Sequence, residues 1–197
     1  MLVSKIKKKK DELGLSLIES SMVLALAAIV VSGVMFYYQS ASDSNKTQNT
    51  ISEIMSAVSA VNGLYVGQAN YDGLQRSVLS HSSSIPDNYK SSGGIITNPF
   101  GGELDIAASS DKTKYALQLS SIPASSCVNI ASMNLGTSMV GVAVSNGNGN
   151  IQTIADKVAV DASSSQSVGE LYKSLTPVQA AGLCGDSGAM SVTFVMN

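Results

Sequence analysis

The sequence predicts an α+β fold in which one long N-terminal helix packs on an antiparallel sheet. The first observation is an apolar run, residues 15–38, that contains a single charged side chain, Glu19. Beyond it, apolar residues return at helical spacing, and the C-terminal half contains short segments in which apolar and polar residues alternate, as in half-buried strands. The 197 residues have room for one domain and a short appended element.

Charge is unevenly distributed along the chain. Five of the twelve basic residues are lysines that precede Asp11, whereas residues 15–197 hold seven basic and twelve acidic side chains. An acidic body disfavours binding to nucleic acid, because phosphate contacts need clustered Lys and Arg. We therefore expect no nucleic-acid partner.

The apolar run is long enough to cross a membrane. As a helix, its 24 residues would reach about 36 Å, against a hydrocarbon core of about 30 Å. Phe36, Tyr37 and Tyr38 close the run, as aromatic side chains do at a membrane–water boundary, and the lysines before it keep that end cytoplasmic. We predict an apolar transmembrane helix over residues 15–42, with the body on the periplasmic or outer side.

The same helix is predicted to start at about Leu15, to continue as an amphipathic segment over residues 43–66, and to end near Gly67. Its apolar residues are spaced for one face of a helix, and the opposite face is polar. The predicted packed face comprises Ile51, Ile54, Met55, Val58, Val61 and Tyr65, and the predicted solvent face comprises Ser52, Glu53, Ser56 and Ser59.

Glu19 disfavours two simpler explanations of the N-terminus. A carboxylate in hydrocarbon costs roughly 2.5–3.5 kcal/mol, so it usually has a partner. A secretory signal peptide is one alternative, because Ala25-Leu26-Ala27 imitates a cleavage site, but Glu19 interrupts the apolar region and apolar residues continue past Ala27. A permanently anchored single-span protein is the other alternative, and it gives Glu19 no role.

The globular part, residues 67–197, is predicted to begin with a surface loop that extends to Gly102. Ser, Gly, Asn and Asp dominate that stretch without periodicity. Strands are predicted where apolar and polar residues alternate, with Val192, Phe194 and Met196 on one face of the last strand. The predicted strands are residues 103–107, 115–120, 139–145 and 190–196.

Turn and helix signals complete the globular part. Asn146-Gly147-Asn148-Gly149 predicts a tight turn that leads into a further strand at residues 151–154. Ser121-Ile122-Pro123 is predicted to open a helix that ends near Gly136, with Cys127, Ile130, Ala131 and Leu135 on its inner face. Thr176-Pro177 predicts the start of a second short helix, which carries Cys184.

No constellation of residues indicates catalysis. The single histidine, His81, lies in a serine-rich stretch, where an exposed loop residue is the simpler interpretation. HExxH, GxSxG and SxxK motifs are absent in a suitable frame, and Asp156, Asp161, Glu170 and Asp186 are too scattered for a calcium loop. We expect no catalytic residue, no cofactor and no metal site.

Cys127 and Cys184 are the two cysteines, and they lack a CxxC spacing. In a chain that leaves the cytoplasm, one disulfide is the default interpretation. Two buried free thiols are the alternative.

The N-terminal residues resemble the prepilin motif of type IV pilins. The resemblance consists of Gly14 followed by an apolar residue, Glu19 five positions after it, and a long apolar helix. Leucine rather than phenylalanine at position 15 is similar to the type IVb branch, and the string 15–28 resembles the bundle-forming pilins, or bundlins. Residues 36–46 and 98–104 are also similar to bundlins, and the similarity resumes around both cysteines but is weaker between them.

This resemblance implies a type IV pilin fold with a disulfide-closed C-terminal region. It implies that prepilin peptidase removes a leader, residues 1–14, by cutting between Gly14 and Leu15, and that it N-methylates Leu15. It also implies a homopolymer in which the Leu15 amine of one subunit pairs with Glu19 of a neighbour, as the assembly salt bridge.

The implied function is that of the major structural subunit of a type IVb, bundle-forming pilus, which serves adhesion and bacterial aggregation. The implied partners are further copies of the chain, prepilin peptidase, inner-membrane assembly machinery, an outer-membrane secretin, and host cells or neighbouring pili. The implied location is the inner membrane before assembly and the cell surface afterwards. A minor pilin, a type II secretion pseudopilin, and a membrane-anchored or secreted enzyme stay open as alternatives.

Overall fold

The computed structural model describes residues 16–147, 149–162, 165–185 and 188–197. The chain divides into two compact units between Ser42 and Asp43. The longest helix, α1, contributes to both units. The helices are α1 (Leu17–Leu64), α2 (Arg76–Ser80), α3 (Ala124–Ala131), α4 (Ile151–Ala155) and α5 (Pro177–Cys184), with a 3₁₀ turn at Asp87–Tyr89.

Six strands of the second unit form one antiparallel sheet. Their spatial order is β1-β2-β3-β4-β6-β5, so the last strand of the chain lies between β4 and β5. Phe194 of β6 is paired with Leu117 on one side and with Val142 on the other. The α+β prediction is therefore confirmed. The strands are β1 (Lys90–Ser91), β2 (Ile95–Thr97), β3 (Glu103–Ala108), β4 (Tyr115–Pro123), β5 (Met139–Asn146) and β6 (Ala189–Met196).

Apart from Ser16, the described residues of the first unit form the N-terminal part of α1, and the large apolar side chains there are exposed, from 58% at Leu26 to 87% at Leu17. The helix is long and apolar enough to cross a membrane, with a window of mean hydropathy 2.1. The hydroxyls of Ser20 and Ser21 donate to the carbonyls of Leu17 and Ile18 at 3.0 and 2.8 Å. These bonds satisfy polar groups within the helix, as apolar surroundings require.

In the second unit α1 buries one face against the sheet, but the predicted face is partly wrong. Ile54 and Val61 are buried as expected, whereas Met55 is 61% exposed and Glu53, assigned to solvent, is only 3% exposed. Small residues at helical spacing form much of the true packed face, and they carry too little apolar character to be recognised from the sequence. The buried residues of α1 are Thr47, Thr50, Glu53, Ile54, Ala57, Ala60 and Val61.

The sheet is covered on both faces. One core cluster joins α1 residues such as Ile54 to the β6 residues Val192, Phe194 and Met196, which share a face as predicted. A smaller cluster on the other face joins Val195 to α4 and Leu171. A Cβ at Gly141 would lie 2.6 Å from the Tyr172 carbonyl oxygen. The backbone at Tyr172 therefore lies too close to β5 for any residue larger than glycine at this position.

The segment 67–102 is not the structureless surface loop that its composition predicts. It contains α2, the 3₁₀ turn, β1 and β2. Four of its apolar residues, Leu74, Leu79, Ile85 and Ile96, are buried in the main core. Their spacing follows neither the helical nor the strand period, so the sequence pattern does not reveal them. Their burial nevertheless attaches the segment to the core at four points.

Two further element predictions need correction. Residues 151–155 form α4 rather than a strand, because the Asn150 side chain accepts from the Gln152 and Thr153 amides at 3.0 and 3.2 Å and caps a helix there. The helix predicted after Ser121 begins only at Ala124, since β4 continues to Pro123, and it ends at Ala131 rather than near Gly136. Leu135 consequently lies outside it. The helix after Thr176 has the capping box that its sequence predicts.

Candidate functional site

The predicted assembly residues lie at the start of the chain. Gly14 and Leu15 are outside the described residues, so cleavage between them and methylation of Leu15 stay predictions. Glu19 lies in the first turn of α1, and its side chain is exposed. The structure thus places this acid at the end of an exposed apolar helix, where another molecule can reach it.

The exposed apolar part of α1 is the clearest interaction surface of the chain. Its large side chains are apolar around the whole circumference of the helix, rather than along one stripe, and none of them is buried in the first unit. Monomeric soluble proteins rarely expose contiguous apolar patches larger than a few hundred Å². Such a helix can be buried in a lipid bilayer, can pack against other copies of itself, or can do first one and then the other.

The cysteines form the disulfide expected from the sequence. Cys127 of α3 and Cys184 of α5 are bonded, with their Cα atoms 5.9 Å apart, and both are fully buried. The bond closes a sequence separation of 57 residues. It holds α3 and α5 together within the main core and closes the C-terminal region.

Asn98 organises the segment that resembles bundlins at residues 98–104. Its side-chain amide donates to the Ser120 carbonyl at 2.8 Å, and its Oδ1 accepts from the amides of Phe100 and Gly102 at 2.9 and 3.1 Å. A Cβ at Gly102 would collide with the Ser120 carbonyl. These residues therefore build a fixed turn onto β4, and their role in the fold is structural.

Glu53 is the residue that sequence reasoning missed. Both of its carboxyl oxygens are buried, and neither has a hydrogen-bond partner among the described residues. Burial raises the pKa of this carboxyl to about 8. Because Glu53 shares the polar side of the helical pattern with several serines, the sequence indicated that it faces solvent. Only the packing of α1 in the structure shows that it is buried.

The described residues give no support to a catalytic or metal site. The ring Nδ1 of His81 lies 2.6 Å from the Ser77 carbonyl at the end of α2, and the residue is exposed. Among the residues that the structure describes, no group of three or more His, Cys, Asp or Glu side chains could hold a metal ion.

The family profile described as Bundlin matches residues 39–176. The chain belongs to the bundlin family. Two curated relatives are each 50% identical, one over 200 residues and one over 199, covering 99% of this chain and 100% of each relative. Both are described as the major structural subunit of bundle-forming pilus, one from Escherichia coli O127:H6 (strain E2348/69 / EPEC) and one from Escherichia coli O111:H-.

A solved structure carries the same fold. The crystal structure of TcpA, a type IV pilin from Vibrio cholerae El Tor biotype, matches with a TM-score of 0.52 and covers 78% of this chain and 99% of that chain. The sequence identity is 13%, so this match concerns the fold alone. The predicted type IV pilin fold is confirmed.

Proposed function

We propose that this bundlin-family chain is the major structural subunit of a bundle-forming, type IVb pilus, with a role in adhesion and bacterial aggregation. One observation supports the proposal most strongly. The helix α1 is apolar and exposed in its N-terminal part, and in its C-terminal part it buries a face in a head that contains a disulfide. The half-identical relatives, both described as major pilus subunits, support it. The mechanism is polymerisation, and the chain is not an enzyme.

The proposed organisation follows the helix. Prepilin peptidase removes residues 1–14 and methylates Leu15. Residues 15–42 hold the subunit in the inner membrane and then form the filament core, residues 43–66 carry the helix into the head, and residues 67–197 complete the head. The assembly machinery and an outer-membrane secretin deliver the filament to the cell surface, where it meets host cells or neighbouring pili.

The proposed assembly force at Glu19 is electrostatic. Cleavage after Gly14 would give Leu15 an α-amino group, which is largely charged near neutral pH. In apolar surroundings an ammonium and a carboxylate are each costly alone and much less costly as a pair. This pairing also fixes the axial position of a helix that joins a stack of identical helices, because only one axial offset places its amine beside Glu19 of a neighbour.

Glu19→Ala tests this function. We expect the variant to insert in the membrane as the wild type does but to lose most surface filament, because the apolar helix is intact while the pairing group is gone. The measurement compares the amount of this chain in membranes with the amount in filaments sheared from cells.

Glu103→Gln is the matched control, since Glu103 is an exposed head carboxylate, and it should assemble normally. Normal filament yield from Glu19→Ala would contradict the pairing. If wild-type filaments contain this chain only as a trace component, it is a minor subunit instead.

A further inference from the structure

The chain contains three asparagines that are directly followed by glycine, at Asn62-Gly63, Asn146-Gly147 and Asn148-Gly149. In such a pair the backbone can attack its own side chain: the glycine nitrogen bonds to the asparagine Cγ, ammonia leaves, and a cyclic succinimide forms. Glycine favours this step because it has no Cβ to hinder the approach and its backbone rotates freely. Asn148 lies outside the described residues, so the structure distinguishes the other two pairs.

The helix α1 protects the first pair. Asn62 and Gly63 both lie within α1, where the amide of each residue donates to the carbonyl one turn earlier. Ring closure would require the Gly63 nitrogen to leave this hydrogen bond and the backbone to leave helical geometry. Conversion of Asn62 therefore needs local unfolding of α1.

The second pair lies at the end of β5. Asn146 is the last residue of the strand, is exposed, and pairs with Met190 of β6. The register between β5 and β6 ends at this pair, so strand pairing does not hold the residues that follow Asn146. Ring closure at Asn146 consequently disturbs at most the last pair of the ladder.

Gly147 has an accessible backbone. Its φ of 62° lies in the left-handed region, and a Cβ built on it would meet no atom within 4 Å apart from its chain neighbours. The hydrogen bonds that Gly147 makes with described residues are accepted by its carbonyl oxygen, from the Gly149 amide at 3.2 Å and from the Ser191 hydroxyl. These bonds anchor the side of Gly147 that is away from Asn146, and they leave its nitrogen available for attack.

Asn150 shows that exposure alone does not make an asparagine reactive. It is exposed, but its Oδ1 accepts from the Gln152 and Thr153 amides at 3.0 and 3.2 Å. Its side chain is thereby held at the start of α4. The next residue is the branched Ile151, whose side chain hinders approach through its own backbone nitrogen.

We propose that Asn146 is a self-modification site of the head, where the Gly147 nitrogen displaces the side-chain amide as ammonia. A bond forms between that nitrogen and Cγ, the bond from Cγ to the amide nitrogen breaks, and the Gly147 proton passes through water to the leaving group. Water then opens the succinimide at either carbonyl. The products are aspartate and isoaspartate, and water is the only other reactant. This inference concerns the head itself and does not depend on the proposed function.

The modification changes the charge and the backbone at the end of β5. Both products carry a carboxylate that is ionised at neutral pH, whereas the Asn146 side chain is neutral. In isoaspartate the backbone runs through the former side chain and contains an extra methylene, so the last pair with Met190 is lost. The chain does not reverse this reaction, and the converted fraction therefore increases with the age of the molecule.

Peptide mass spectrometry with fragmentation tests the site. The full-length protein is incubated in detergent at neutral and at mildly alkaline pH, which favours loss of the attacking amide proton, and is then digested with trypsin. We expect Asn146 to convert about tenfold faster than Asn62 or more, because Asn62 reacts only when α1 opens. Asn150, on the same tryptic peptide as Asn146, should stay unconverted. Equal rates at Asn146 and Asn62, or conversion confined to Asn148, would overturn the proposal.

Asn146→Gln tests the attacking group. The variant keeps an exposed amide at this position but carries it one methylene further out, so attack by the Gly147 nitrogen would have to form a larger ring. We expect no conversion at position 146 over the period in which the wild type converts. Conversion at the wild-type rate would show that water attacks the amide directly, and it would overturn the proposed step.

Discussion

The two ends of α1 differ in where their apolar side chains are buried. Up to Ser42 the large apolar side chains are exposed, whereas beyond Asp43 the helix buries a face of small and apolar residues in the main core. The hydrogen bonds of the backbone are the same throughout. The head is therefore stabilised by contacts within the chain. The apolar side chains of the first unit can be buried only by lipid or by other protein molecules.

This contrast separates two classes of variant. Changes in the head should alter the free energy of unfolding of the subunit. Changes before Ser42 should leave that quantity unaltered and affect membrane insertion or assembly instead.

The largest effect is expected from the disulfide. Cys127→Ser should lower the free energy of unfolding of the head by about 4 kcal/mol, because the bond closes a separation of 57 residues in the unfolded chain. Thermal or denaturant unfolding of the full-length protein in detergent measures this loss. Cys184→Ser should have the same effect, and the double variant should add nothing. Unchanged stability in either single variant would contradict the account.

A leucine pair gives the most direct comparison of the two regions. Leu117→Ala in β4 removes a fully buried side chain that pairs across the sheet with Phe194, and it should cost about 3 kcal/mol. Leu26→Ala removes a side chain that is 58% exposed, so the free energy of unfolding of the head should stay the same. Comparable losses in both variants would show that the head depends on the first unit.

The smallest net effect at neutral pH is expected at Glu53, and its sign depends on pH. The folded head keeps the Glu53 proton up to a pKa of about 8, whereas an unfolded chain releases it near 4.5. The stability linked to this group is therefore complete below pH 4.5 and falls as the pH rises towards 8. The loss reaches about 3 kcal/mol at neutral pH.

Glu53→Gln should abolish that slope, because an amide does not titrate in this range. Its own buried, unpaired polar atoms cost about 1–3 kcal/mol, so the net gain at neutral pH is about 1 kcal/mol. Denaturant unfolding at several pH values across the window measures the slope. Glu103→Gln is the control and should retain it. An equal slope in wild type and Glu53→Gln would refute the burial of a neutral carboxyl.

The sequence predicted those parts of the fold that follow one clear period. Alternation located β3, β4 and β6, a strand was also predicted at β5, and the long apolar run followed by helical spacing located α1. The capping signal at Thr176 located α5. Local chemistry decides these elements, so their residues suffice to predict them.

Other parts depend on tertiary packing and escaped prediction. The Asn150 side chain turns residues 151–155 into a helix where a glycine-rich turn favoured a hairpin. Isolated anchors such as Leu79 and Ile96 order the segment 67–102 without any period. Glu53 is buried on a face of α1 that also contains the small residues Ala57 and Ala60. Nothing in the local sequence pattern distinguishes this acid from an exposed one.

The most direct test of the central claim is a high-resolution reconstruction of filaments sheared from cells. We expect residues 15–42 of adjacent copies to pack together at the filament centre, with the Leu15 amine within about 4 Å of a neighbouring Glu19 carboxylate, the ordinary limit of an ion pair. A reconstruction that places these helices outside the centre, or that leaves Glu19 in apolar surroundings far from every amine, would contradict it.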